Sequence, residues 1–199
     1  TIFRGRGQSI QVTPLSFSEF MPLRKGCETQ AIFNEYLTFG GLPKCALAKT
    51  DSERKSYLDE IYRTIYIRDI IERNKIKEPA ILESLLDVVM SGIGGLTNPN
   101  KISDTMNTEA KMKTNNVTIS KYLDLLENAF LIAKARRYDV KGRKHLKSLN
   151  KYYTIDPGLR NARVNFRQNE QTHLMENVIY NELIRRGYSV DVGIVQLET

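Results

Sequence analysis

Tryptophan is absent from this 199-residue chain, and only two cysteines, two histidines and six prolines occur. Cys27 and Cys45 make neither a disulfide framework nor a metal-ligand spacing, a usage that suits a reducing cytoplasm. His145 and His173 fall in different segments without evident ligand partners, so no zinc or other metal site is expected. No apolar run is long enough to span a bilayer and no charged-then-apolar signal opens the chain, which argues against membrane contact. The phosphate-binding pattern G-x-x-x-x-G-K-[ST] has no match, so Ser91-Gly92-Ile93-Gly94-Gly95 reads as a hinge after a helix rather than a phosphate cradle. Internal repeats and low-complexity tracts are likewise missing. What remains is a 41% hydrophobic chain, sufficient for a real core, with a net charge of +7.

The spacing predicts a mainly α fold with small β elements. Ser9-Ile10-Gln11-Val12 alternates like a strand, and Ser16-Phe17-Ser18-Glu19 reads as a capping box opening a helix. A helix over Glu28 to Phe39 stops at Gly40-Gly41, and Pro43 restarts one at its first turn. Asp51 to Asn74 gives the longest helical pattern, with Leu58, Ile61, Tyr62, Ile65, Ile70 and Ile71 on its apolar side. Pro79 opens another helix, carrying Ile81, Leu82, Leu85, Leu86, Val88 and Val89. Asp156 to Asn161 reads as a turn followed by a short polar stretch. Thr172 then caps a helix with Met175, Val178, Ile179 and Leu183 inward, closing at Gly187. The chain starts without methionine and ends within a strand-like run, the expectation for a piece of a longer polypeptide.

Lys101 to Asp156 carries the strongest functional pattern. After Thr114-Asn115-Asn116, suited to capping, Ile119, Tyr122, Leu123 and Leu126 recur at the spacing of a helix with one buried face. Strand-like runs follow at Phe130–Ala133 and Tyr152–Ile155. From Lys134 to Lys151, eight basic residues face Asp139 alone, a local +7 that equals the whole chain's net charge. Two helices followed by a basic hairpin is the outline of a winged helix-turn-helix. Thr118, Ser120 and Lys121 would face a DNA groove, and Arg136, Arg137, Lys141, Arg143 and Lys144 would contact phosphates. The alternative is a solvated hairpin whose lysines and arginines keep its edges unpaired.

Further motifs recur in a specific order. They include Gly5-Arg6, Pro14-Leu15-Ser16-Phe17-x-Glu19-Phe20, and Tyr36 with Gly40-Gly41-Leu42-Pro43. Then come Leu126-Glu127-Asn128-Ala129-Phe130-Leu131-Ile132, Asp156-x-Gly158-Leu159-Arg160-Asn161, and Met175-Glu176-Asn177 before Arg186-Gly187-Tyr188. Together they resemble a widespread group of prokaryotic AAA-superfamily ATPases. Those proteins join an N-terminal P-loop core to a C-terminal domain of unknown function with a winged helix and a PD-(D/E)XK nuclease-like fold. The resemblance implies the end of the ATPase core at 1–13, a helical lid-like region at 14–78, the winged helix at 79–156 and the start of the nuclease-like α/β segment, incomplete here, at 157–199. It implies ATP and Mg²⁺ for the parent protein but no cofactor and no catalytic residue in this chain. Arg4 or Arg6 would approach γ-phosphate and Pro43 the base or sugar; the alternatives are surface arginines and a simple turn. Glu176 would occupy the nuclease-like fold's first acidic position, or serve only as a first-turn carboxylate. Duplex DNA is the first expected partner, a protein partner or self-association the second, and a metal nuclease the third reading.

Overall fold

The computed structural model describes residues 10–136, 149–167 and 171–193, and the side chains of all of these except 65 and 66. Helix boundaries fall where side chains satisfy the end groups. Ser16 and Glu19 form the expected reciprocal cap at the start of α1 (Phe17–Phe20), which passes through a tight turn at Met21–Leu23. Helix α2 (Thr29–Phe39) ends at Gly40, whose φ of 74° lies in the region that favours glycine. Pro43 opens α3 (Pro43–Leu47), and a second reciprocal cap, Thr50 with Glu53, opens α4 (Asp51–Glu60). Helix α4 runs through a π-helical segment, Ile61–Ile67, into α5 (Arg68–Asn74). The core-facing residues there are Leu58, Tyr62, Ile67 and Ile70. Their steps of four, five and three show where the wide turn sits: it shifts the register so that both halves keep one face inward. Helix α6 (Pro79–Ser91) buries Leu82, Leu85 and Leu86 completely, while Val88 turns outward.

Strand β1 (Leu96–Thr97), α7 (Pro99–Thr108), α8 (Asn116–Asn128), β2 (Ile132–Ala135) and β3 (Asn150–Thr154) follow, then α9 (Pro157–Arg163) and α10 (Gln171–Arg185). The three strands are antiparallel in the order β1-β3-β2, with Leu96 opposite Lys151 and Lys134 opposite Tyr152. Because side chains alternate along a strand, Ile132 and Tyr152 join the main core under α8. Ala133, Ala135 and Tyr153 turn to the other face and meet Tyr180 of α10. The sheet is thus a layer between α8 and α10. The main core takes in residues from Phe39 to Leu159, and a smaller cluster gathers Phe20, Ile32, Tyr36 and Ala46.

Several expectations are corrected. Ile10 and Val12 form no strand and are 81% and 88% exposed; no described segment pairs with them, and a strand needs such a partner for its backbone. The expected strand at Phe130–Ala133 begins two residues later, because Phe130 lies at φ 55° and turns the chain after α8. The glycine segment after α6 is docked rather than a free hinge: Ile93 is buried, and Gly94 N–H donates to Tyr152 O at 3.0 Å on the way into β1. Asp156 to Asn161 is a buried helix start, not a turn with a polar tail. Helix α10 presents Leu174, Asn177 and Tyr180 inward; of the four residues predicted there, Val178 packs against the smaller cluster and Leu183 is half-buried, while Met175 and Ile179 are exposed, so the buried face is rotated from the one its apolar residues suggest. Polar pairing explains the rotation: Asn177 accepts from Thr154 N–H and donates to Thr154 O, both at 2.8 Å, while Tyr180 stacks on Tyr153.

Candidate nucleic-acid interface and the polar junction behind it

The turn between α7 and α8 is held from within. Asn107 Nδ2 donates to Thr114 O and Thr114 N–H donates back to Asn107 Oδ1, each at 2.8 Å. Lys111 takes a left-handed backbone at φ 51°, and Met112 N–H closes onto Met106 O at 3.0 Å. Asn115 caps α8 by accepting from Thr118 N–H at 2.9 Å. With its first turn fixed, α8 seats Ile119, Leu123 and Leu126 in the core and holds its opposite face in solvent. Ser120 and Lys121 stand on that outer face and Thr118 is half-buried at its edge. Lys111 and Lys113, also exposed, flank an open notch at the helix N-terminus beside Asn115 and Thr118. Those two lysines were not singled out from the sequence, although their place just ahead of the cap was the available signal.

Arg136 is exposed at the end of β2, where its carbonyl accepts from Val192 N–H at 2.8 Å. Arg137, Lys141, Arg143 and Lys144 lie outside the described residues, as do Arg4 and Arg6. The hairpin stem is less basic than its composition suggests. Lys134 leaves the sheet on the α8 side and meets Asp124 at 3.5 Å; Lys151 leaves on the α10 side and meets Glu176 at 2.7 Å. Two of the eight cations therefore point to opposite faces, each beside a carboxylate.

Glu176 Oε1 receives two donors, Lys151 Nζ and, at 2.6 Å, the Tyr153 hydroxyl. Burial pushes the Glu176 carboxyl up, but these two bonds outweigh it and hold it below the usual range. Tyr153 is raised by burial and by that same carboxylate. Among the described residues no group of three or more His, Cys, Asp or Glu could hold a metal ion. Pro43 sits at the surface as the first residue of α3.

Behind the interface, α9 forms a polar junction. Asp156 and Arg160 are fully buried and Asn161 is 2% exposed. Asp156 Oδ1 accepts from Leu159 N–H at 3.2 Å, while Oδ2 reaches across to Gly41 N–H at 2.7 Å. Asn161 Nδ2 donates to Leu37 O and Thr38 O, supplying partners for the last carbonyls of α2. Arg160 Nε donates to Met90 O at 3.0 Å, placing a cation at the C-terminal end of α6. Around this junction three glycines leave no room for a Cβ: one on Gly40 would collide with the Asp156 carboxylate, one on Gly41 with Leu15 O, and one on Gly158 with Phe39 O. Burial raises the Asp156 carboxyl to about 6, against the opposing pull of donors from Gly41, Leu159, Gly158 and Leu42.

A third feature is an apolar groove of about 560 Å³ beside α10, lined in part by Leu15, Phe17, Phe33, Ile179, Leu183 and Tyr188. Its rim carries Arg185, paired with Glu19 at 3.4 Å and Glu182 at 3.1 Å.

A family defined as a domain of unknown function, DUF8612, matches residues 30–170, which hold the α7–α8 turn, the sheet and the α9 junction. The chain belongs to the DUF8612 family. Relatives of the DUF8612 chain include an uncharacterized protein of Haemophilus influenzae, 40% identical over 198 residues that cover 97% of this chain and 49% of that protein. An uncharacterized protein of Methanocaldococcus jannaschii is 27% identical over 199 residues, covering 94% and 44%. The chain spans about half the length of these relatives. A prokaryotic domain of unknown function is thus established. No solved structure matches the chain. Among the described residues, no helix is long and apolar enough to cross a membrane.

Proposed function

We propose that this chain is the DNA-binding, regulatory region of a cytoplasmic AAA-type ATP-binding protein, with residues 79–156 acting as a winged helix. Helix α8 enters the major groove with Ser120, Lys121 and the edge of Thr118. Arg136 and the basic hairpin beyond it, Arg137, Lys141, Arg143 and Lys144 included, lie along the phosphates. The observation that carries this reading is the outer face of α8. It is polar, solvent-facing and fixed by the Asn107–Thr114 clasp, and it lies beside the strands that lead into the basic segment. The element order of α6, β1, α7, α8, β2 and β3, with strand order β1-β3-β2, supports it.

ATP and Mg²⁺ belong to the parent protein, with Arg4, Arg6 and Pro43 on the nucleotide side; Glu176 marks the nuclease-like end. Fluorescence polarisation with a labelled DNA duplex tests the proposal. Five phosphate contacts predict roughly 500-fold weaker binding at 200 mM than at 50 mM salt. Absence of binding at 50 mM, or binding unchanged by Arg143→Glu with Lys144→Glu, rejects it. A second reading, a protein-interaction scaffold in which the winged helix only packs, is favoured by the apolar groove beside α10. Ultracentrifugation of the wild type and Ile179→Asp decides whether that groove joins copies of the chain.

A further inference from the structure

The geometry points to a second copy of this chain as the occupant of the apolar groove beside α10, with Ile10 and Val12 of each copy laid over the groove of the other. This rests on the scaffold reading, not on the nucleic-acid one, and names the partner. The groove, about 560 Å³, is lined in part by Leu15, Phe17, Phe33 and Leu183. Large apolar side chains border it without cover: Ile179 is 57% exposed, Ile184 43% and Tyr188 61%. Single apolar residues on a surface are ordinary, but several around one concavity mark a contact site.

The segment beside the groove is turned the wrong way for a chain that stands alone. Its polar residues Gln11 and Thr13 line the groove, while Ile10 and Val12 meet solvent at 81% and 88% exposure. An apolar ridge and an apolar groove therefore lie side by side on one patch. A two-fold axis next to them brings the ridge of each copy to the groove of the other, so one patch is used twice and the contact closes at two copies. Charge agrees. The chain carries +7, yet Arg185 and Arg186 at this rim are matched by Glu19 and Glu182, with Arg185 3.4 Å from Glu19 and Arg186 2.7 Å from Glu182. A neutral rim imposes no repulsion between like copies and no field that would draw a partner of strong charge. Across the axis each sign meets its opposite.

Analytical ultracentrifugation across a concentration series is the test. The wild type should pass from the 22.9 kDa monomer to twice that mass, with a Kd in the micromolar range. Ile179→Asp in the groove and Val12→Asp on the ridge both place charge at exposed positions. Each should keep the melting temperature and weaken the dimer roughly tenfold or more. Raising salt from about 50 to about 500 mM should preserve or tighten the dimer, because screening lowers repulsion between basic chains; phosphate contact responds in the opposite sense. A dimer indifferent to Ile179→Asp overturns the groove as its seat, and one indifferent to Val12→Asp overturns the ridge. A monomer at every concentration overturns the second copy. If the dye 1-anilinonaphthalene-8-sulfonate then binds the wild type and not Ile179→Asp, the groove receives another polypeptide and the scaffold reading stands. A monomer that binds no dye overturns both.

Discussion

The outer face of α8 and the start of α9 contain the same kinds of residue and put them to opposite use. On α8, Ser120 and Lys121 meet solvent, and nothing in the fold depends on their side chains. On α9, Asp156, Arg160 and Asn161 are enclosed, and each bonds to backbone of a different element. A buried polar group that loses its partner costs about 1–3 kcal/mol, whereas a solvated one exchanges its partner for water. Polarity in the sequence therefore says little until burial is known.

This contrast can be broken or sharpened by mutation. The largest effect should come from Gly158→Ala, where the new methyl meets the Phe39 carbonyl and one backbone must move. A loss of about 4 kcal/mol in urea unfolding is expected, and a loss under 1 kcal/mol would show that the junction is pliant. Next is the titration of Asp156. Its folded value, about 6, lies above the ordinary value of 3.8. Its contribution to stability is therefore fully present below pH 4 and lost as pH rises through 6, a total of roughly 3 kcal/mol. The stability difference between wild type and Asp156→Asn, from urea curves at pH 4 to 7, should fall as pH rises; a flat difference would mean that the carboxylate stays ionised.

Lys121→Glu should weaken duplex binding about tenfold, equivalent to about 1.4 kcal/mol, while leaving the melting temperature in place. Loss of both together would show that α8's outer face is structural after all. The smallest change belongs to Ser120→Ala, within about 0.5 kcal/mol in stability. If it exceeds that, the two regions are less different than their burial implies.

Local punctuation made much of the architecture legible. The Ser16–Glu19 cap, the Gly40 stop, Pro43 and Pro79 each mark a helix boundary that end-group chemistry dictates. The α8 stripe was readable for the same reason, since all its buried positions lie on one helical face. Asp156-Pro157 was a helix start by the same rules, with a capping carboxylate ahead of a proline, but a run of polar residues looked like surface. Strand β1, two residues long, carries no periodicity to read; only pairing with β3 defines it. The face of α10 was only half legible, Val178 and Leu183 but not Met175 and Ile179, because Asn177 satisfies Thr154 in the manner of a neighbouring strand, a contact between residues 23 apart that no window on the helix contains. For the candidate interface, residue type located Ser120 and Lys121, but direction was hidden. The alternation that sends Lys134 and Lys151 to opposite sides becomes visible only once the strand register is set.

The knot around α9 has a mechanical corollary. The end of α2, the end of α6 and the exit of β3 are all fastened to one seven-residue helix, with bonds at both the front and the back of its first turns. The Gly40–Gly41 bend and the foot of β3 hang on the same carboxylate, so displacing Asp156 would unfasten both at once.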